Sequence, residues 1–307
     1  MTTLSVSTHW IAHLHDDGSA MIDAINDAGI TNVELGYDTL PHLVPGIEKA
    51  VADQRVSVRS LHNFCPVPDT FSKGHPELFS LSSLNDGERQ SAVYHTRKTI
   101  TFAASLGSTA VVSHAGNVSM RRCTEKFTKL YSKGKANTPR YDRLRAKASE
   151  TRRMPAMSHF SALCRSVEEL LPTLEELQIK LAFENLPSFE AIPSIEEQEA
   201  LFEKFPSPYL CYWHDFGHAQ VMQNLRLAPH VHRLQRFHAR TAGVHIHDTA
   251  GTEDAHIMPP MANGIHWEYT DKWINHDWCL VLEPRPGTTT EEVQTAVQFL
   301  ENIWQLK

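Results

Sequence analysis

No stretch of the 307-residue chain approaches the roughly 20 apolar residues of a membrane span, and its start, MTTLSVSTHWIAHLHDDG, lacks a basic region followed by a long apolar segment. The sequence therefore reads as a cytoplasmic protein with no membrane partner. Cysteine is sparse: Cys65, Cys123, Cys164, Cys211 and Cys279 are odd in number, widely spaced and never arranged as C-x-x-C. That pattern excludes a disulfide framework and a thiolate zinc site, and predicts reduced, mostly buried thiols. Glycine is missing where a dinucleotide fold needs it, because THWIAHLHDDG follows the first strand candidate without a Gly-rich turn. There is no low-complexity tract. The net charge of −7 speaks against a general nucleic-acid binder. Histidine, by contrast, is abundant, with 19 residues whose positions decide the reading.

Eight short β-branched or apolar runs occur at 4–7, 31–35, 56–61, 109–113, 179–184, 209–213, 243–246 and 279–283. Helical spacing falls between them, at 20–28, 44–53, 85–106, 158–177, 194–205, 217–237 with a break near Pro229, 267–275 and 289–304. Ser194-x-x-Glu197 and Thr289-x-x-Glu292 are capping boxes that satisfy first-turn N–H groups. Strand alternating with helix eight times implies right-handed parallel crossovers, which close into a (β/α)8 TIM barrel forming a single domain over 1–307. One segment departs from this pattern. Residues 118–153 hold twelve Lys or Arg against Glu125, Asp142 and Glu150, so this insertion after the fourth strand carries +9 and the remainder −16. It reads as a solvated helical excursion, with a phosphate- or nucleic-acid-binding lid as the alternative.

In such a barrel the chemistry gathers at the C-terminal strand ends, where the loops surround one mouth. Those ends carry His62, His114, Glu184, Asp215 with His218, His245 with His247 and Asp248, and Glu283. Six consecutive strands thus end in a group able to hold a divalent metal. Glu184 follows KLAF and Glu283 follows CLVL, and a carboxylate at the edge of an apolar core is costly unless a cation or donors compensate it. A salt bridge would also serve, but Arg285 is the one cation in sequence reach of either end. Asp215 alone would read as a helix N-cap; beside the two glutamates it reads as a ligand. Imidazole and carboxylate without thiolate suit Zn²⁺, Mn²⁺, Co²⁺ or Fe²⁺. In HIHDTAGTEDAH, His245 points into the mouth and Asp254-x-His256 folds back over it. By parity His247 shares the face of His245, so the choice between them stays open, as does an orienting role for His247 or Asp248.

The motifs His62-Asn-Phe-Cys-Pro, Val112-Ser-His114-Ala-Gly, Phe183-Glu184-Asn185, Asp215-x-Gly-His218, His245-x-His-Asp248, Asp254-x-His256-x-x-Pro259-Pro260 and Leu282-Glu283 resemble the xylose-isomerase-like TIM barrel superfamily. That superfamily includes sugar phosphate isomerases and epimerases and the endonuclease IV type of abasic-site nuclease. The resemblance implies one divalent metal on Glu184, Asp215, His245 and Glu283, as in the ketose epimerases. It also implies further ligands in His62, His114, His218, Asp254 and His256, matching the nuclease branch, for one to three ions in all. The chain departs from the isomerase branch at Pro259-Pro260-Met261-Ala262-Asn263-Gly264, where relatives read Pro-Pro-Gly-x-Gly. It departs from the nuclease branch at Asn185-Leu-Pro-Ser.

The leading expectation is a metal-dependent isomerase or epimerase of a sugar, sugar phosphate or other sugar derivative, working through a metal-stabilised enediolate. Glu184 and Glu283 move the proton, and His218 and Arg285 bind substrate hydroxyl or phosphate groups. Trp10, Phe64 and Trp213 could line an apolar wall, although plain core packing explains them better. Abasic-site phosphodiester hydrolysis with clustered zinc, a lyase acting on a keto-sugar, and an inactive sugar-binding barrel are the rivals. A small-molecule sugar is the expected partner, and the basic segment leaves room for a homo-oligomeric contact.

Overall fold

A computed structural model of the chain describes residues 3–306. Its strands are β1 Leu4–Ser7, β2 Asn32–Leu35, β3 Ser57–His62, β4 Ala110–Ser113, β5 Lys180–Glu184, β6 Leu210–Asp215, β7 Thr241–Ile246, β8 Asp248–Ala250, β9 Glu253–Ile257 and β10 Cys279–Leu282. Its helices are α1 Gly18–Asp27, α2 Val44–Ala52, α3 Asp86–Ser105, α4 Thr124–Tyr131, α5 Pro139–Leu177, α6 Ile195–Lys204, α7 Phe216–Asn224, α8 His230–Phe237 and α9 Thr290–Trp304. Eight parallel strands close a barrel in the order β1-β10-β7-β6-β5-β4-β3-β2, so every strand candidate read from the sequence takes its place in the ring. β8 and β9 form a separate antiparallel hairpin over the mouth.

Alternation along the strands explains where the polar groups emerge. Ala110, Val112, Ala182, Cys211, Trp213, Cys279 and Val281 pack together inside the barrel. Two residues beyond Ala182, Trp213 and Val281, on the same faces, stand Glu184, Asp215 and Glu283, so the apolar plug ends in a ring of carboxylates. Gly243 makes room for the plug: a Cβ there would lie 2.4 Å from the Trp213 ring.

Both capping boxes form, at Ser194 with Glu197 and at Thr289 with Glu292. Two helix expectations change. The basic segment is not a separate excursion, because α5 runs 39 residues without a break from Pro139 through the helix expected at 158–177. Thr138 caps its start, and the insertion packs through Phe127, Tyr141 and Ala148 against Val221 of α7 and Leu225 just beyond it. The helix expected at 267–275 is instead two short 3-10 turns, Trp267–Tyr269 and Asp271–Trp273. There the N–H groups of Thr270, Trp273 and Ile274 donate to carbonyls three residues back, at 3.0, 2.9 and 3.1 Å, in place of the four-residue bonds of an α-helix.

Among the described residues no helix is long and apolar enough to cross a membrane. All five cysteines are free and buried.

Candidate metal centre

The nine acid and imidazole residues read as ligands converge at one end of the barrel, and His247 joins them. Four overlapping groups have ligand atoms within 4.8 Å of one another: His62, His114 and Glu184; Glu184, Asp215 and His218; Asp215, His245 and Glu283; and His218, His247, Asp254 and His256. Glu184 sits in the middle. Its Oε2 lies 3.0 Å from His114 Nε2 and 3.6 Å from His62 Nε2, and its Oε1 lies 3.0 Å from His245 Nδ1 and 3.4 Å from His218 Nδ1.

His245 and His247 fall in different groups, although both approach Asp215 Oδ2. His245 Nδ1 looks at Glu184, at Glu283 3.5 Å away and at Asp215 3.7 Å away. His247 Nε2 lies 3.0 Å from that same Asp215 oxygen, Oδ2, and 3.8 Å from Asp254, with its ring stacked on His256 at 3.9 Å. Asp248 turns away from the cluster and accepts from the Thr249 N–H and the Trp267 indole. The chain returns closely past it: a Cβ on Gly264 would lie 2.3 Å from the Thr249 carbonyl, which explains a glycine at the end of the turn that departs from the family pattern.

The orientation of the rings carries chemical information. His62 Nδ1 lies 3.0 Å from the Asn63 carbonyl, His218 Nδ1 2.9 Å from that of Asn185, and His256 Nδ1 3.0 Å from that of Glu283. A carbonyl only accepts, so each Nδ1 carries the proton and each Nε2 is aimed at a carboxylate oxygen. For His218 and His256 that oxygen belongs to Asp254, at 3.0 and 3.5 Å. His245 is reversed: its Nε2 donates to Glu34 Oε1 at 3.0 Å, and Ser60 donates to the other Glu34 oxygen at 2.7 Å. Glu34 is fully buried on β2 and was not singled out from the sequence, although a lone carboxylate in the apolar run NVEL is the same signal that marks Glu184 and Glu283. It frees His245 Nδ1 to face three carboxylates.

Lone pairs of nitrogen and oxygen facing each other across 3.0–3.8 Å repel unless a proton or a cation lies between them. Without a metal, protons do this work. Burial disfavours the His245 imidazolium, but the carboxylates of Glu283, Glu34 and Glu184 outweigh it and hold its pKa well above the usual imidazole range. The same contest, won by Asp215 and Asp254, raises His218, and Glu283 with Asp254 lifts His256 to about 9. Glu283, also buried, is drawn down to about 2 by His245 and His256. A donor set of imidazoles with fixed tautomers and buried carboxylates fits a divalent metal at these positions.

Asn185, after β5, braces the centre: its Oδ1 accepts from the Asp215 N–H at 2.9 Å and from the Tyr212 hydroxyl at 2.6 Å, and its Nδ2 donates to the Asp215 carbonyl. Arg285 takes no part in the cluster; it is exposed just beyond Glu283 and lines neither cavity at the mouth. Trp10 is buried with its indole donating to the Thr288 carbonyl, Phe64 packs on Phe79, and Trp213 lies under His245 inside the barrel. A cavity of about 490 Å³ opens on His114, His218 and Asp254. A larger one, about 610 Å³, lies between α5 and α6, away from every ligand candidate, and plays no part in this site.

The model of the xylose isomerase-like TIM barrel family matches residues 22–303. The chain belongs to that family. A relative from Sinorhizobium fredii, the uncharacterized protein y4fM, is 24% identical over 292 residues, covering 89% of this chain and 83% of its own. Among solved structures, a D-tagatose 3-epimerase-like protein superposes with a TM-score of 0.68 at 20% identity over 99% of this chain and 97% of its own. The 3-keto-D-glucoside 4-epimerase YcjR from E. coli gives 0.69 at 12% identity over 98% and 100%. At these identities the structural likeness speaks for the fold.

Proposed function

We propose that the protein is a divalent-metal-dependent isomerase or epimerase of a keto-sugar or sugar derivative. The observation that carries this reading is the placement of two buried carboxylates, Glu184 and Glu283, 3.0 and 3.5 Å from the same nitrogen of His245. Epimerisation needs a proton taken from one face of a carbon and returned on the other, and two carboxylates from different strands of one ring provide groups that can approach from two directions. Glu184, Asp215, His245 and Glu283 would hold the principal ion, with His62, His114, His218, His247, Asp254 and His256 available for up to two more. A bound divalent ion supplies a Lewis acid beside the substrate carbonyl and so makes the neighbouring C–H more acidic.

The chain's own groups do the rest. Glu184 takes the proton from the carbon beside the carbonyl and Glu283 returns one, each strand end being fixed by the apolar plug beneath it. Glu34 and the Asn63, Asn185 and Glu283 carbonyls hold the imidazoles in the tautomers that ligation requires. The folds of neighbours described as a D-tagatose 3-epimerase-like protein and a 3-keto-D-glucoside 4-epimerase support the same reaction class.

Protein loaded with Mn²⁺ or Zn²⁺ should exchange the proton beside the carbonyl of a keto-sugar with solvent deuterium, and a Glu184→Gln, Glu283→Gln double variant should not. Equal exchange by both proteins would overturn the proposal. A second reading, phosphodiester hydrolysis at abasic sites, is favoured by the ligand candidates beyond the principal four and by the basic segment, where Lys126, Lys129, Lys133, Lys135 and Arg140 line one pocket. Cleavage of an abasic duplex without any keto-sugar exchange would establish it. Loss of water or of a sugar substituent, read from product mass, would identify a lyase.

A further inference from the structure

The walls of the mouth speak to what the substrate carries. The cavity of about 490 Å³ beside the metal centre adjoins a second of about 410 Å³, and Glu77, His114, Asn117 and Ser119 line both. Each alone lies in the range that accommodates a drug-sized ligand. Together they exceed what one sugar ring fills.

Their charge is one-sided. Among the described residues, Arg122 is the only Lys or Arg lining either chamber; it lies at the surface beside Glu125, 3.7 Å away. The acids are Glu77, Glu125, Glu190 and Asp254 in the inner chamber, with Glu77 and Glu88 in the outer. The helix starts that could otherwise receive a phosphate are already served by carboxylates. Glu190 accepts from the backbone N–H groups of Cys123 and Thr124 at the start of α4, and Asp86 and Glu88 stand in the first turn of α3. What remains in the outer chamber is neutral and suited to hydroxyl groups: Ser80, Ser83, Asn85, Asn117 and Ser119, beside the ring of Phe79.

We propose that the substrate is an uncharged saccharide of more than one unit, a keto-glycoside whose reacting ring lies over the metal centre and whose second unit occupies the outer chamber. This rests on the isomerase or epimerase reading and sharpens it, since beyond the metal centre a sugar phosphate would bring its charge against acids in both chambers, where among the described residues exposed Arg122 is the one Lys or Arg.

The test offers Mn²⁺-loaded wild-type protein three substrates in parallel: a keto-disaccharide, the matching keto-monosaccharide and the phosphate monoester of that monosaccharide. Deuterium uptake beside the carbonyl is followed by mass spectrometry. The kcat/KM values should fall in that order, by about tenfold or more at each step. Leu84→Trp, which fills only the outer chamber, should reduce the disaccharide-to-monosaccharide ratio by about tenfold. Exchange that is equal or faster with the phosphate overturns the uncharged class, and a monosaccharide matching the disaccharide overturns the second unit; either leaves the reaction class intact. No exchange with any of the three removes the reaction class and this inference with it.

Discussion

Glu184 at the end of β5 and Glu190 in the loop that follows are both buried glutamates, yet their surroundings differ in kind. Glu190 is surrounded by donors: the Thr124 N–H at 3.1 Å, the Thr124 hydroxyl at 2.5 Å, the Ser188 hydroxyl at 3.0 Å and the Cys123 N–H. Burial works against its charge, and these bonds hold its pKa below the usual carboxylate value. It needs nothing more, and it caps a helix whose own N-cap side chain makes no capping bond. Glu184 meets only imidazoles, and two of them have their other nitrogen committed elsewhere, His62 to the Asn63 carbonyl and His245 to Glu34. Equal burial therefore means different things: a carboxylate ringed by donors is a structural part, and one ringed by ligand-type nitrogens is what a coordination shell would offer a cation.

Substitutions at both positions should separate these roles. Glu184→Gln removes the oxygen charge common to two of the ligand groups and should lower keto-sugar exchange by about 10²–10⁴-fold with loss of bound metal, measured by deuterium uptake and elemental analysis. Glu34→Gln offers an amide donor to His245 Nε2 and so favours the tautomer with a proton on Nδ1; metal affinity should fall about 10–100-fold in a competition titration with a chelating dye. Glu190→Gln should do the reverse of Glu184→Gln, costing about 1–3 kcal/mol of stability in a thermal melt while metal content stays at the wild-type level. Smallest of all, Arg285→Ala, at an exposed position outside both chambers, should leave kcat/KM within about twofold.

The barrel was legible because its signals are local and repeated. LSVS, KLAFE and CLVL are short runs with turn or helix signals on both sides, and Ser194 and Thr289, each with a glutamate three residues on, announce their helices. The convergence of the candidate cluster was legible for a related reason: a parallel barrel sends every strand end to one mouth, so a carboxylate closing an apolar run falls there whatever its partners. Glu34 escaped because it lies within its strand, followed by Leu35, and the value of its carboxylate depends on His245, 211 residues away. Period two could not distinguish His245 from His247, since both point inward; their different neighbours, Glu283 for one and Asp254 for the other, separate them only in space. At 267–275 the backbone bonds span three residues instead of four, a difference that hydrophobic periodicity does not register.

The central claim is that the nitrogen of His245 facing Glu184, Asp215 and Glu283 belongs to a metal ion. Anomalous diffraction from crystals of the wild-type protein grown with Zn²⁺ tests it most directly. The account expects a peak about 2.0–2.1 Å from His245 Nδ1, within bonding reach of carboxylate oxygens of Glu184, Asp215 and Glu283. No anomalous density among these four side chains at saturating Zn²⁺, with His245 still in direct hydrogen bonds to Glu184 and Glu34, would contradict it.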